Sequence, residues 1–293
     1  TDLDIRRALE RQIEAERWTQ LDRQLIRDAG KTGVIDVAPE AGRQPDAYTV
    51  EKVGRLRKLE ALGLASEVGP GQWVLDDKAE GTLRQLGERG DIIKRIHRGL
   101  SERGIERGTA SYVLAGESLD DPVVGRLVAR GLDDELKGTA YAVVDGVDGR
   151  THHIRLPHLD AAGDSAPGSI VELRAFDDAR GEHRVALAVR SDLDLQHQVN
   201  ASGATWLDRQ SIAREPVAMS DGGFGAEVRD ALRQRAEHLV REGLAEQQGG
   251  RVVFRRNLID TLRRREVDAV ADRLAKETGQ PFKPAGNGEY VAE

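Results

Sequence analysis

The residues best suited to chemistry in this chain are the three histidines of the stretch THHIRLPH: His152, His153 and His158. Two imidazoles on one side of a strand could hold a divalent metal, and a histidine–hydrophobic–histidine strand would mark a metal-dependent nuclease. A strand brings two rings together only at spacing two, because successive side chains alternate between faces. Here His152 and His153 are adjacent, so a strand sends them to opposite sides. His152 then shares a face with Ile154 and Leu156 and reads as a packed histidine, while His153 shares a polar face with Thr151 and Arg155. No metal site is expected.

Four tyrosines (Tyr48, Tyr112, Tyr141 and Tyr290) lie far apart, none beside a His or Asp cluster, which favours packing over a nucleophilic role. DGVDG at 145–149 holds two carboxylates but is too short for a calcium loop, and reads as a tight hairpin turn. There is no phosphate loop ending in Gly-Lys-Ser/Thr and no Gly-x-Ser-x-Gly elbow. With no cysteine, disulfides, thiolate nucleophiles and Cys-type zinc sites are excluded together. The case for an enzyme is weak, and no catalytic residue, metal ligand or cofactor is assigned.

The composition fits that reading. The 293 residues are 39% hydrophobic, only 4% aromatic and 32% charged, with a net charge of −7. Such a chain supports two or three domains with modest aliphatic cores and carries no membrane-spanning run. No signal-peptide pattern opens the sequence, so a cytoplasmic location is expected. The first residue is Thr, and GNGEYVAE ends the chain at what reads as the start of a strand, which suggests a piece of a longer polypeptide. An acidic chain grips nucleic acid only through local basic faces.

The elements that would position such faces come from a repeat. RWTQLDRQ at 17–24 and GATWLDRQ at 203–210 share a Thr-x-Leu-Asp-Arg-Gln frame, 186 positions apart. From each phrase the chain runs on in the same order. A leading helix is followed by an amphipathic helix (46–62 and 224–242), a glycine stop, a glycine-turned hairpin (65–75 and 245–254) and a further helix. The offset drifts only from 186 to 179, which confines insertions to loops. Helix, stop, hairpin, helix is the order of a winged helix, in which the helix before the hairpin enters a DNA groove.

Between the copies, short β-rich runs joined by Asp145-Gly146, Asp148-Gly149 and Pro167-Gly168 predict a small antiparallel barrel of the OB or SH3-like kind. The expected fold class is α+β, with the domains 1–108, 109–192 and 193–279 and a truncated strand-rich segment at 280–293.

Each repeat region is locally basic: residues 52–98 and residues 222–266 each hold ten Lys/Arg against seven Asp/Glu. The candidate DNA contacts are Arg55, Arg57 and Lys58 on the first helix, Arg229, Arg233, Arg235 and Arg241 on the second, and Arg251, Arg255 and Arg256 around the second hairpin. The competing reading is a solvated surface with ion pairs such as Arg233 with Glu237. Trp18 and Trp206 are expected to pin the leading helices. Asp22 and Asp208 are expected to cap or to form buried salt bridges.

The stretches RLRKLEALGLASEVGPGQWVL, LRQLGERGDIIKRIH, VVGRLVARGLDDELKGTAYAVVDGVDGRTHHI, GATWLDRQ and GGFGAEVRDAL together resemble the C-terminal region of relaxases. These are mobilization nucleases of conjugative plasmids and integrative elements, of the T-DNA border endonuclease class. The resemblance covers essentially the whole chain. It implies conjugative DNA processing with the nicking histidines and tyrosine in a separate N-terminal domain, so no catalytic residue carries over. The partners it implies are DNA near a transfer origin, and relaxosome or type IV secretion coupling proteins. No membrane is implied.

Overall fold

A computed structural model describes residues 2–114 and 119–282 of the chain. It is a mixed α+β protein that divides into two compact units, Thr1–Lys94 and Arg95–Glu293.

The first unit contains α1 (Asp2–Glu14), α2 (Gln20–Ala29), β1 (Ile35–Asp36), α3 (Ala47–Ala61), β2 (Ala65–Gly69) and β3 (Gln72–Leu75). It also holds the beginning of α4 (Ala79–Glu102). Its three strands form an antiparallel sheet in the order β1-β3-β2. Leu25, Leu56, Leu59, Trp73 and Leu83 meet beneath that sheet as its core.

The second unit begins with the last turns of α4. A six-stranded sheet comes next: β4 (Tyr112–Leu114), β5 (Val123–Asp134), β6 (Thr139–Gly146), β7 (Thr151–Leu156), β8 (Ile170–Asp177) and β9 (His183–Ser191). After it come α5 (Leu195–Asn200), α6 (Trp206–Ile212), α7 (Gly223–Arg241), the hairpin β10 (Ala245–Gln248) with β11 (Arg251–Phe254), and α8 (Leu258–Thr278).

The expected barrel does not form. Strand order is β4-β7-β6-β5-β8-β9, and β4 and β9 remain edges. The sheet coils around Leu127, Ala142, Val144, Ile154, Val171, Leu173 and Val185, helped by two register shifts in β5. A short 3-10 turn, Leu159–Ala162, then packs against β6, β7 and β9 and buries Ala162 in that core. No ladder joins β4 to β9, so the sheet stays open.

The division into units falls within α4, between Lys94 and Arg95. Within the second unit the sheet shares a core with the helices after it. Val124, Val147 and Ile170 pack with Trp206, Leu207, Phe224 and Val228. Glycines allow that approach: a Cβ on Gly225 would lie 2.5 Å from the Val147 carbonyl oxygen. The segment expected from 280 onward lies outside the described residues from 283. Among the described residues no helix is long and apolar enough to cross a membrane.

Candidate functional site

The two repeated phrases build the same hydrogen-bonded knot. Thr19 is the N-cap of α2. Its backbone N–H and its hydroxyl donate to Asp22 Oδ2 at 2.8 and 2.9 Å, and the Asp22 N–H returns a bond to Thr19 Oγ1 at 3.3 Å. At the start of α6, Thr205 and Asp208 make the same three bonds at 2.8, 2.9 and 3.3 Å. Each is a capping box with aspartate in the third position, which satisfies donors that a helix start leaves unpaired. Gln12 and Gln198 each accept from the N–H two residues into their cap, Leu21 and Leu207.

Into each knot reaches an arginine from the following helix. Arg55 of α3 donates through Nε and Nη2 to the two oxygens of Asp22 at 2.7 and 2.8 Å. Its remaining donors go to the carbonyls of Ile13, Ala15 and Arg17. Arg235 of α7 repeats the set with Asp208 at 2.9 and 3.0 Å and with the carbonyls of Val199, Ala201 and Gly203. All five N–H donors of each guanidinium are used, and the bidentate fork matches the carboxylate plane. Both pairs are fully buried.

The carbonyls lie at alternate residues where α1 and α5 end. Each arginine therefore ties off a helix C-terminus and braces the linker to the next helix. Burial of Asp22 and Asp208 agrees with the sequence reading, and their salt-bridge partners are Arg55 and Arg235.

Those contacts correct the list of candidate DNA contacts. Arg55 and Arg235 cannot reach a phosphate, because their donors are all engaged inside the protein. Lys58 is only partly exposed and lies 3.6 and 3.7 Å from Glu14 and Glu16. Arg229 pairs with Asp221, and Arg233 with Asp230 rather than Glu237. The remaining five, Arg57, Arg241, Arg251, Arg255 and Arg256, are exposed and without an ion-pair partner among the described residues. Four of these lie in the second copy. The clue to Arg55 and Arg235 was present in the repeat: an Asp and an Arg kept at matched places in both copies, while most other charges differ.

Thr151–Leu156 of the histidine stretch form β7, and His158 beyond it caps the 3-10 turn, its Nδ1 accepting from the Ala161 N–H at 3.2 Å. His153 faces Val143 across the strand pair and stacks on Tyr141, ring centroids 5.3 Å apart, and Arg95 also lies over the ring of that tyrosine. The face carrying Thr151, His153 and Arg155 is polar in composition, as expected, yet His153 is fully buried and neither ring nitrogen has a hydrogen-bond partner. Burial, reinforced by the nearby Arg95 cation and opposed by Asp133, lowers its pKa to about 4. His152 is bonded to Asp148 at 2.8 Å. Burial raises the Asp148 carboxyl, but the His152 bond and the Arg150 N–H outweigh it and leave the group below its usual value. Among the described residues no group of three or more His, Cys, Asp or Glu is placed to hold a metal ion.

A further polar group ties the sheet to α7. Asp145 on β6 is buried and receives Arg107 at 2.8 Å and Arg126 at 2.9 Å; both arginines also reach Glu227 of α7. Arg126 lies over the Phe224 ring. The charges balance, so this cluster serves as a joint and attracts no net counter-charge.

A family model matches residues 52–177 and again 172–292, together most of the chain, and its description is Protein of unknown function (DUF3363). The chain belongs to that family. The matched stretches of this DUF3363 protein take in Arg55, Arg235, Asp208 and the whole coiled sheet. No curated protein and no solved structure matches the chain.

Proposed function

We propose that the chain is a non-catalytic accessory region of a conjugative relaxase, binding DNA at or near a transfer origin through two winged-helix-like modules. The relaxase context rests on the sequence resemblance. Support for paired modules comes from the repeated knot and from the elements after it. In each copy an arginine-clamped helix ends at a glycine of positive φ, Gly63 or Gly243, with Leu64 N–H to Leu59 O and Leu244 N–H to Leu239 O closing the same Schellman turn. A hairpin and a long helix come next in both.

The observation that carries DNA binding is the set of exposed arginines with no carboxylate partner among the described residues, Arg57, Arg241, Arg251, Arg255 and Arg256. Phosphate contacts by such groups release counterions and make affinity fall with salt. Anisotropy titrations on duplex and single-stranded oligonucleotides between about 50 and 200 mM salt test this, with affinity expected to drop steeply across the series. Absence of binding at the low-salt end would remove the proposal. A second reading, a module that docks on the type IV secretion coupling machinery without touching DNA, is favoured by the net charge of −7. Capture of that partner by a protein with no DNA affinity would support it.

A further inference from the structure

The two copies can be superposed residue by residue through their hydrogen bonds. Ala65 pairs with Leu75 in the first hairpin, and Ala245 with Phe254 in the second. The Asp76 N–H then bonds to the Leu64 carbonyl, and the Arg255 N–H to the Leu244 carbonyl. One residue on, Asp77 corresponds to Arg256. The next helix starts with matching bonds, Ala79 N–H to Asp76 O and Leu258 N–H to Arg255 O. Toward the tip, Gln72 opposes Gly69 as Arg251 opposes Gln248.

At these three equivalent positions the first copy carries Gln72, Asp76 and Asp77, and the second carries Arg251, Arg255 and Arg256. On one backbone framework the charge is inverted at two of these positions and a positive charge is gained at the third. Asp76 has a local task, accepting from the Lys78 N–H at 2.8 Å. The three arginines make no side-chain bond among the described residues. Val252 and Phe254 turn toward the core of Leu239, Leu258 and Leu262, while Arg251 and Val253 face solvent. Glu246 is the one acidic residue on this hairpin.

We infer that the second hairpin and its foot, through Arg251, Arg255 and Arg256, form the main phosphate-backbone contact for duplex DNA, ahead of α7. This rests on the DNA-binding reading above. On α7 the candidate arginines are paired or buried except Arg241, at its last turn, so the helix offers few free groups for reading base edges. Arg251 to Arg255 spans about 13 Å of extended strand, the rise of about four phosphates along one DNA strand. Contact of this kind positions a duplex without reading its sequence.

The experiment is a salt-series anisotropy titration of the full chain on two duplexes of unrelated sequence. Three proteins are compared: the parent, a triple variant Arg251→Ala/Arg255→Ala/Arg256→Ala, and a helix variant Arg229→Ala/Arg233→Ala. The triple variant is expected to lose at least about tenfold in affinity at low salt and to lower the salt slope by about three. The helix variant should stay within about twofold of the parent, and the two duplexes within about threefold of each other. If the parent binds but the triple variant keeps its affinity and slope, or if the helix variant carries the loss, the hairpin assignment is overturned while DNA binding stands. Strong preference for one duplex overturns the backbone-contact assignment. If the parent binds neither duplex, the underlying reading fails.

Discussion

Arg235 is the side chain on which the second copy's local order depends most. Truncating it leaves a buried Asp208 carboxylate unpaired and three carbonyls without donors, and uncompensated buried charge of this kind costs about 3–5 kcal/mol. Arg235→Ala should lower the urea midpoint accordingly, whereas Arg233→Ala, which breaks only an exposed pair, should shift stability by less than about 0.5 kcal/mol. Lysine should not rescue position 235, since a point charge cannot replace a planar fork of five donors. His153 gives a pH signature. Its folded pKa of about 4 lies below the unfolded value of 6.5, so the unfolded chain binds more protons between these limits. The stabilisation is complete above pH 6.5 and is lost as pH falls toward 4, by about 3 kcal/mol in all. His153→Phe keeps an aromatic ring beside Tyr141 and removes two unpartnered nitrogens. Urea unfolding at pH 7 and pH 4.5 should show a smaller acid loss for that variant than for the parent, and an equal loss would discount the assignment. Residue types alone separate His152 from His153 by strand parity, but parity does not say which face is covered. The last turns of α4 pack against this sheet, where a Cβ on Gly99 would come within 3.1 Å of Ala129, a contact no local pattern announces.

At the level of elements, what could be read beforehand was set by glycine and periodicity. The hairpin expected at 245–254 matches β10 and β11 to the residue, and 224–242 differs from Gly223–Arg241 by one at each end. Both depend on chemistry within a few positions: Gly243 leaves the helix at φ +70°, and Gly249 and Gly250 turn the hairpin at φ +52° and +83°. What could not be read was closure, because whether β4 meets β9 is decided by pairing between strands far apart in the chain. Arg55 and Arg235 were misplaced for a related reason: helical spacing finds the apolar stripe, and a charged residue at its margin is assigned to solvent unless its long-range acid is known. Docking of α7 onto the β6–β7 turn yields a further prediction. A Cβ at Gly225 would sit 2.5 Å from Val147 O and 2.6 Å from the Ser220 N–H nitrogen, both backbone atoms. Gly225→Ala should therefore cost about 1–3 kcal/mol by forced displacement. Amide exchange should accelerate at the start of α7 and at 146–150, and an unchanged exchange pattern would show that the backbone yields freely.

For the whole chain, the repeat suggests two modules on either side of an independent middle domain, and the contacts divide it otherwise. The sheet and the second copy share Trp206, Leu207, Phe224 and Val228 as one core, whereas the first copy has its own around Leu56, Leu59 and Trp73. Similar sequence therefore does not mean similar surroundings: each copy has its own clamp, and the second is tied to the six-stranded sheet by the Asp145 cluster. Cooperativity of unfolding tracks shared core, since buried apolar contacts and not chain order make a cooperative unit. Two matched substitutions separate these possibilities. Arg55→Ala should lower the stability of residues 1–94 by about 3–5 kcal/mol and leave the transition of residues 95–293 in place. Arg235→Ala should do the reverse, shifting the sheet and α7 together. Hydrogen exchange with mass spectrometry across a urea series assigns each transition to its peptides. Should Arg235→Ala loosen α5–α8 while the sheet keeps its parent midpoint, the shared core would not be one cooperative unit. If both variants shifted every peptide equally, the division at Lys94 would have no energetic meaning.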